Sequence, residues 1–245
     1  MNRAEYGRMF EVEGRHWWYA GMRALSFALL DPELPRGRTP MILDAGCGTG
    51  VNLEHLARRG RAVGVDLSED AVAFCRTRGV AAARASVLAL PFAGAAFDVV
   101  TSFDVLYHRW VPDDRAAVRE LARVLAPGGL LLVRVPALKM LWGAHDEAVH
   151  SRHRYTRGEL ARLLAAEGLE LLRVSYGNAL LFPLLLLRRS LDRALGREGS
   201  DVGFLPAPLE WLFGSLLALE ARLVRYFSWP LGASVVALAR KPQAP

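Results

Sequence analysis

The chain has 245 residues, a formal net charge of +6 and 52% hydrophobic residues. That length buries a substantial core, and the apolar content excludes a disordered polyelectrolyte. Two cysteines, Cys47 and Cys75, exclude a disulfide framework and fit a reducing compartment.

The positive charge comes from arginines scattered among acids, with lysine only at Lys139 and Lys241. This pattern reads as compositional bias rather than a nucleic-acid footprint, so no nucleic-acid partner is expected. The segment Met-Asn-Arg-Ala-Glu-Tyr-Gly-Arg carries no apolar secretory core. The expectation is a cytoplasmic protein.

Residues 5–30 form a helical, aromatic-rich head with His16, Trp17, Trp18, Tyr19 and Arg23. A proline-punctuated linker fills 31–40. An apolar run then ends in Asp44, the glycines Gly46, Gly48 and Gly50 follow, and a helical pattern runs from about Asn52 to Arg58. Glycine lets a backbone approach a ligand closely, and a helix N-terminus favours an anionic group. A second strand, Arg61–Asp66, ends in an acid, and Ser68 is the N-cap of a helix over Glu69–Arg76. An acid at the end of a second strand can accept hydrogen bonds from ribose hydroxyls.

The segment Ser86–Phe92 precedes a strand at Phe97–Asp104. Pro112-Asp113-Asp114 opens a helix with Leu121, Val124 and Leu125 on its apolar face, and Pro127-Gly128-Gly129 turns into a strand at Leu131–Val135. Residues 136–155 show no regular period. Thr156 and Glu159 form a capping box for a helix to about Ala166. Strands are expected at Leu169–Tyr176 and Ser234–Lys241, separated by a long apolar insertion.

The spacing at 46–50 departs from the Gly-x-Gly-x-x-Gly of dinucleotide sites, which argues against NAD. The run Leu43-Asp44-Ala45-Gly46-Cys47-Gly48-Thr49-Gly50 resembles motif I of the class I S-adenosylmethionine (SAM)-dependent methyltransferases. Asp66, the Ser86–Phe92 loop and the Leu125–Leu130 turn resemble that family's later motifs, in order, over residues 41–135. The resemblance implies a Rossmann-like α/β fold: a seven-stranded, mostly parallel sheet with helices on both faces. To this the chain adds the N-terminal helical head and a helical insertion before the last strand. The implied division is head and linker 1–40, SAM-binding core 41–176, insertion 177–233, and last strand and tail 234–245.

The resemblance also implies SAM as cofactor, held by Asp44, Gly46, Cys47, Gly48, Asp66, Leu67, Ser86, Val87 and Phe103. Ser86 stands where the family usually has an Asp for the adenine amino group; Val87 supplies a backbone contact beside the ring. Trp17, Trp18 and Tyr19 read either as helix core or as a lid over the cofactor. Arg23 reads as a surface arginine or as the partner of the methionine carboxylate, which a guanidinium matches bidentately.

Methyl transfer from a sulfonium needs alignment above all, and a base only where the acceptor must lose a proton. Tyr107, His108, His145 and His150 are the candidates beside the acceptor. The cluster His145–Tyr155 equally reads as a loop held by Asp–Arg and His–backbone bonds. No metal is expected, because the family's chemistry does not need one.

The expected activity is methyl transfer to a small-molecule or lipid-like acceptor, with the oligomeric state left open. The alternatives are a catalytically weak nucleoside- or SAM-binding module, and a membrane-surface scaffold acting through 177–233. Leu180–Leu187 is too short to span a bilayer. Leu209–Phe227 is interrupted by Glu210, Glu220, Arg222 and Arg225, and charges there are costly in lipid. The insertion reads as two helices packed on each other and on the sheet edge. It also reads as a peripheral contact with the inner membrane surface, through Arg188, Arg189, Arg193 and Arg197.

Overall fold

The computed structural model describes residues 3–194 and 205–243. Five parallel strands carry the core: β1 (Met41–Ala45), β2 (Arg61–Asp66), β3 (Ala82–Arg84), β4 (Phe97–Phe103) and β5 (Leu125–Pro136). They join β6 (Glu170–Gly177) and β7 (Ser234–Arg240) in one seven-stranded sheet of order β3-β2-β1-β4-β5-β7-β6. β7 runs antiparallel to both neighbours. The expected mostly parallel α/β architecture is therefore present. β3 is a short strand not anticipated from the sequence. β5 begins at Leu125, earlier than expected, and its register with β4 is irregular before Val99 pairs with Leu130.

Alternation along the strands splits the core in two. Leu131, Val133, Val135, Val235 and Ala237 face one layer; Leu130, Leu132, Val236 and Leu238 face the other. The first layer is covered by α5 (Asp114–Val124) and α7 (Arg157–Ala166) through Val118, Leu121, Leu160 and Leu164. Both helices start where side chains satisfy their first N–H groups: Asp113 caps α5, and Thr156 with Glu159 forms the expected capping box on α7. Ser68 likewise caps α4 (Glu69–Thr77).

The head is two helices, α1 (Arg3–Val12), which contacts α4, and α2 (Trp17–Leu30), which packs into the second layer, with the Nδ1 of His16 accepting the Trp18 N–H at the start of α2. The insertion supplies α8 (Phe182–Ala194) and α9 (Ala207–Leu223). α9 packs along α2, not on α8 as the sequence suggested. The reason is local. Gly21 presents bare backbone, and Leu217 lies so close that a Cβ at 21 would overlap its side chain. Trp17 meets Phe213 edge-on at 5.2 Å, and the Trp17 N–H donates to Glu210. Gly21→Ala is expected to cost about 1–3 kcal/mol through overpacking. Urea unfolding checks this, and an unchanged midpoint would remove Gly21 from the account.

α8 instead seats Phe182 against Leu141 and Ala233. Its start is tied to α9 by Glu220, which is fully buried and accepts the N–H groups of Ala179 (2.8 Å) and Leu180 (3.2 Å). Burial pushes that carboxyl above its ordinary range while these N–H groups pull it down. The segment 136–155 holds a 3₁₀ turn at Lys139–Leu141 and the short α6 (Ala144–Ala148). No described helix is long and apolar enough to cross a membrane.

Candidate functional site

The carboxyl ends of β1, β2 and β4 open into one cavity of about 690 Å³, the place where ligands sit in open α/β sheets. Its first end is the glycine loop between β1 and α3 (Val51–Ala57). Gly46 and Cys47 donate to the Val65 carbonyl (2.7 and 2.9 Å), folding the loop back onto β2. Gly46 has φ +85°, and a Cβ there would overlap Val105. Gly50, at φ +90°, stands at the N-terminus of α3. The loop therefore presents bare backbone and a helix N-terminus to the cavity.

Two acids serve this end. Asp66 lines the cavity and accepts the N–H of Gly48 and of Ser68, each at 2.9 Å. Burial pushes it above its ordinary range, and these bonds oppose the shift. Asp44 lies beneath the loop, fully buried and outside the lining. One of its oxygens accepts the Thr101 hydroxyl at 2.7 Å; the other has no partner. Burial pushes its carboxyl up to about 7. A buried acid with an open oxygen is costly unless something meets it.

Gly46, Cys47, Gly48, Asp66, Leu67, Ser86, Val87, Phe103 and Tyr19 all line the cavity. The Ser86 hydroxyl accepts the Leu88 N–H at 3.2 Å. The buried thiols of Cys47 and Cys75 lie 3.7 Å apart, and their mutual hydrogen bond and burial push the Cys47 pKa up. Trp17 and Trp18 also line the cavity, so the head borders the ligand space as well as packing on α9. Arg23 does not. It is buried, its Nη1 has no hydrogen-bond partner, burial lowers its pKa and Glu13 opposes that.

Several residues on this lining were not singled out from the sequence. Glu13, buried after α1, accepts the Thr49 hydroxyl and an Arg78 N–H (2.6 Å), while Arg78 also donates to the Thr49 carbonyl (2.9 Å). This network fastens α1 across the glycine loop. Arg134 is buried on β5, pairs with Asp104 at 2.6 Å and lies over the Phe103 ring. Asp104 is the first residue past β4, not its last, and has φ +57°. A charge inside the apolar run Leu130–Val135 was the signal available for Arg134.

The second end of the cavity is lined by Tyr107, His108, Trp110, Asp146, Ser151, Arg154 and Asn178, with Leu185, Arg188 and Arg189 of α8. The Tyr107 and His108 rings stack at 4.3 Å. Burial pushes His108 down to about 4, a hydrogen bond to the Val149 backbone notwithstanding, and its Nδ1 has no partner. The imidazole is therefore neutral at pH 7. Burial also pushes the Tyr107 hydroxyl above its ordinary value. Ser151 and Asn178 each keep a buried side-chain oxygen without a partner.

The histidine-rich loop is held as a frame. Arg154 makes two bonds to Asp146 (2.8 and 3.0 Å), and Asp146 also accepts the Gly143 N–H. His150, at φ +56°, packs against Trp110 and does not line the cavity. The His145 side chain lies outside the described residues, as do Arg197 and the Arg193 side chain.

Comparison with known proteins agrees with this geometry. Residues 43–133 match the family model described as "Methyltransferase domain". A relative from Mycobacterium tuberculosis (strain CDC 1551 / Oshkosh), named Probable S-adenosylmethionine-dependent methyltransferase MT3114, is 37% identical over 139 residues, 55% of this chain and 50% of that protein. The human protein named Probable tRNA methyltransferase 9B is 38% identical over 100 residues, covering 40% of this chain and 22% of that protein. The match to the mycobacterial relative spans about half that protein's length. Among solved structures, the cyclase SpnF superposes with TM-score 0.60 at 21% identity, covering 91% of this chain and 81% of that one. That likeness concerns the fold alone. The glycine loop and the two acids lie within residues 43–133, the stretch that matches the methyltransferase family model, and there the chain is similar to SAM-dependent methyltransferases.

Proposed function

We propose that the chain transfers a methyl group from SAM to a small or lipid-like acceptor held at the second end of the cavity. The observation that carries this reading is the continuity of one cavity from the glycine loop to α8. SAM, when bound, supplies an electrophilic methyl on a sulfonium whose leaving group is a neutral thioether. The residues present suit it. Gly46 and Gly48 give close backbone approach, Asp66 offers acceptor oxygens, and Asp44, buried and off the lining, favours a cationic group there through its field. Ser86, Val87, Leu67 and Phe103 supply the remaining wall, and Tyr19 closes it from the head. Arg23, buried and off the lining, would act through its field rather than by contact.

On the acceptor side, the neutral His108 imidazole can take a hydrogen bond from an acceptor that carries a proton. Tyr107 stacks on that ring and fixes it. His150, off the lining, packs against Trp110, which lines the cavity. The matched family model ends at residue 133, before the histidine-rich loop and α8, so the relatives' acceptors do not carry over. The second end sets Tyr107, Trp110 and Leu185 beside polar groups that include His108, Asn178, Arg188 and Arg189, a wall that suits a small or lipid-like acceptor with an apolar body and a polar end.

Calorimetry with SAM, S-adenosylhomocysteine and NAD tests the reading. Tighter NAD binding would overturn it. A second reading, a SAM-binding module with weak catalysis, draws on Ser86, whose hydroxyl is already engaged by Leu88. SAM binding without turnover across a broad acceptor panel would favour it.

Asp44 gives a pH signature. A cationic ligand group favours its carboxylate over the protonated form. The affinity for S-adenosylhomocysteine is expected to climb as pH rises toward about 7, by at most about tenfold per unit for one linked proton, and to level off above that. Asp44→Asn should flatten this dependence. A wild-type profile already flat from pH 5 to 8 would refute the role.

A further inference from the structure

The insertion carries an exposed face that the cavity does not use. On α8, Leu184, Leu187 and Leu191 are each half exposed, at the i, i+3, i+7 spacing of one helical stripe, with Arg188 among them. On α9 and the turn after it, Leu209, Trp211, Leu212, Leu219, Tyr226 and Phe227 are exposed, Trp211 by 74% and Tyr226 by 78%. Large apolar residues clustered this way mark an interaction surface.

The described exposed charges on the same elements are of one sign. Among the described side chains of 178–233, the exposed ionic groups are Arg188, Arg222 and Arg225. The two acids among the described side chains are turned inward: Glu220 is buried, and Glu210 accepts the N–H groups of Trp17 and Leu205. Leucine and aromatic side chains beside Arg222 and Arg225 suit the headgroup boundary of an anionic bilayer. They suit a protein partner less well, since protein surfaces present both signs. Arg188 is exposed and lines the cavity, as does the half-exposed Trp110, so α8 stands at an opening of the cavity.

We propose that the outward faces of α8 and α9 dock this chain on an anionic lipid surface, with the cavity mouth turned toward the lipid. The docking face is independent of the catalytic reading; that the acceptor arrives from the lipid phase rests on it.

The test is flotation of the full chain with vesicles of phosphatidylglycerol and phosphatidylcholine, against phosphatidylcholine alone. Association with the anionic vesicles is expected, weakening with added salt. Combined Leu187→Glu, Leu191→Glu and Trp211→Glu should abolish it, and Arg222→Ala with Arg225→Ala should weaken it roughly fivefold per arginine. S-adenosylhomocysteine calorimetry on each variant verifies the fold and reports the cofactor site separately. Absence of wild-type flotation, flotation unchanged in the triple variant, or a dimer that buries this face in place of vesicle binding would each overturn the proposal. Loss of cofactor binding in the wild type would instead overturn the catalytic reading and leave flotation to decide the docking face.

Discussion

Asp146→Ala is expected to cost about 3–5 kcal/mol of folding stability, the usual effect of removing one member of a buried ion pair. Asp146 is 1% exposed and Arg154 9%. The substitution strands the Arg154 guanidinium with only the Ala137 carbonyl, and it frees the Gly143 N–H. The cost therefore comes chiefly from the guanidinium charge left buried and unpaired. That origin is measurable. Replacing both partners, Asp146→Ala with Arg154→Leu, should recover part of the stability, because no buried charge remains. Urea unfolding of the two single variants and the double variant decides the matter. A double variant no more stable than Asp146→Ala would contradict the argument, and a wild-type midpoint for Asp146→Ala would remove the pair as the frame of the loop.

Asp66→Ala should weaken S-adenosylhomocysteine binding by at least roughly 1–3 kcal/mol, the cost of leaving hydrogen-bonding groups unpaired, or about 5- to 150-fold in affinity. Two effects combine. The ligand is deprived of acceptor oxygens, and the Gly48 and Ser68 N–H groups lose the partner that shapes the glycine loop and the start of α4. Glu69→Ala is the control, since that carboxylate is a few residues away but exposed. Calorimetry showing equal affinity in Asp66→Ala and wild type would sink the assignment.

The cofactor end was legible in the sequence because its determinants are local. A strand, a glycine turn and a helix lie within residues 41–57, and the second acid ends the next strand. The helix caps at Ser68, Asp113 and Thr156 were legible for the same reason, since cap and partner are three residues apart. What was hidden is long-range. The apolar period of α2 and α9 shows that each buries a face, but not that they bury it against each other. Glu13, Arg134 and Glu220 look like solvated charges until folding brings Arg78, Asp104 and the Asn178–Leu180 backbone to them. The density of His and Asp after β5 located a wall of the cavity. It did not tell which side chains face inward, because the positive φ of His150 turns that residue toward Trp110.

The position of β7 also sets the order in which this protein can assemble. The strand of the sheet made last, Ser234–Arg240, lies between β5 and β6 rather than at an edge. A chain still emerging from the ribosome has no ladder partner to offer β6, and β5 shows a bare edge beside β4. The apolar side of α2 waits equally for α9. Nascent chains of this fold therefore hold one unfinished apolar surface until α9 has been translated and another until β7 has, and the sheet closes only after that second point. Truncations that stop short of residue 234 should be recovered as aggregates or chaperone-bound species, however well formed their glycine loop.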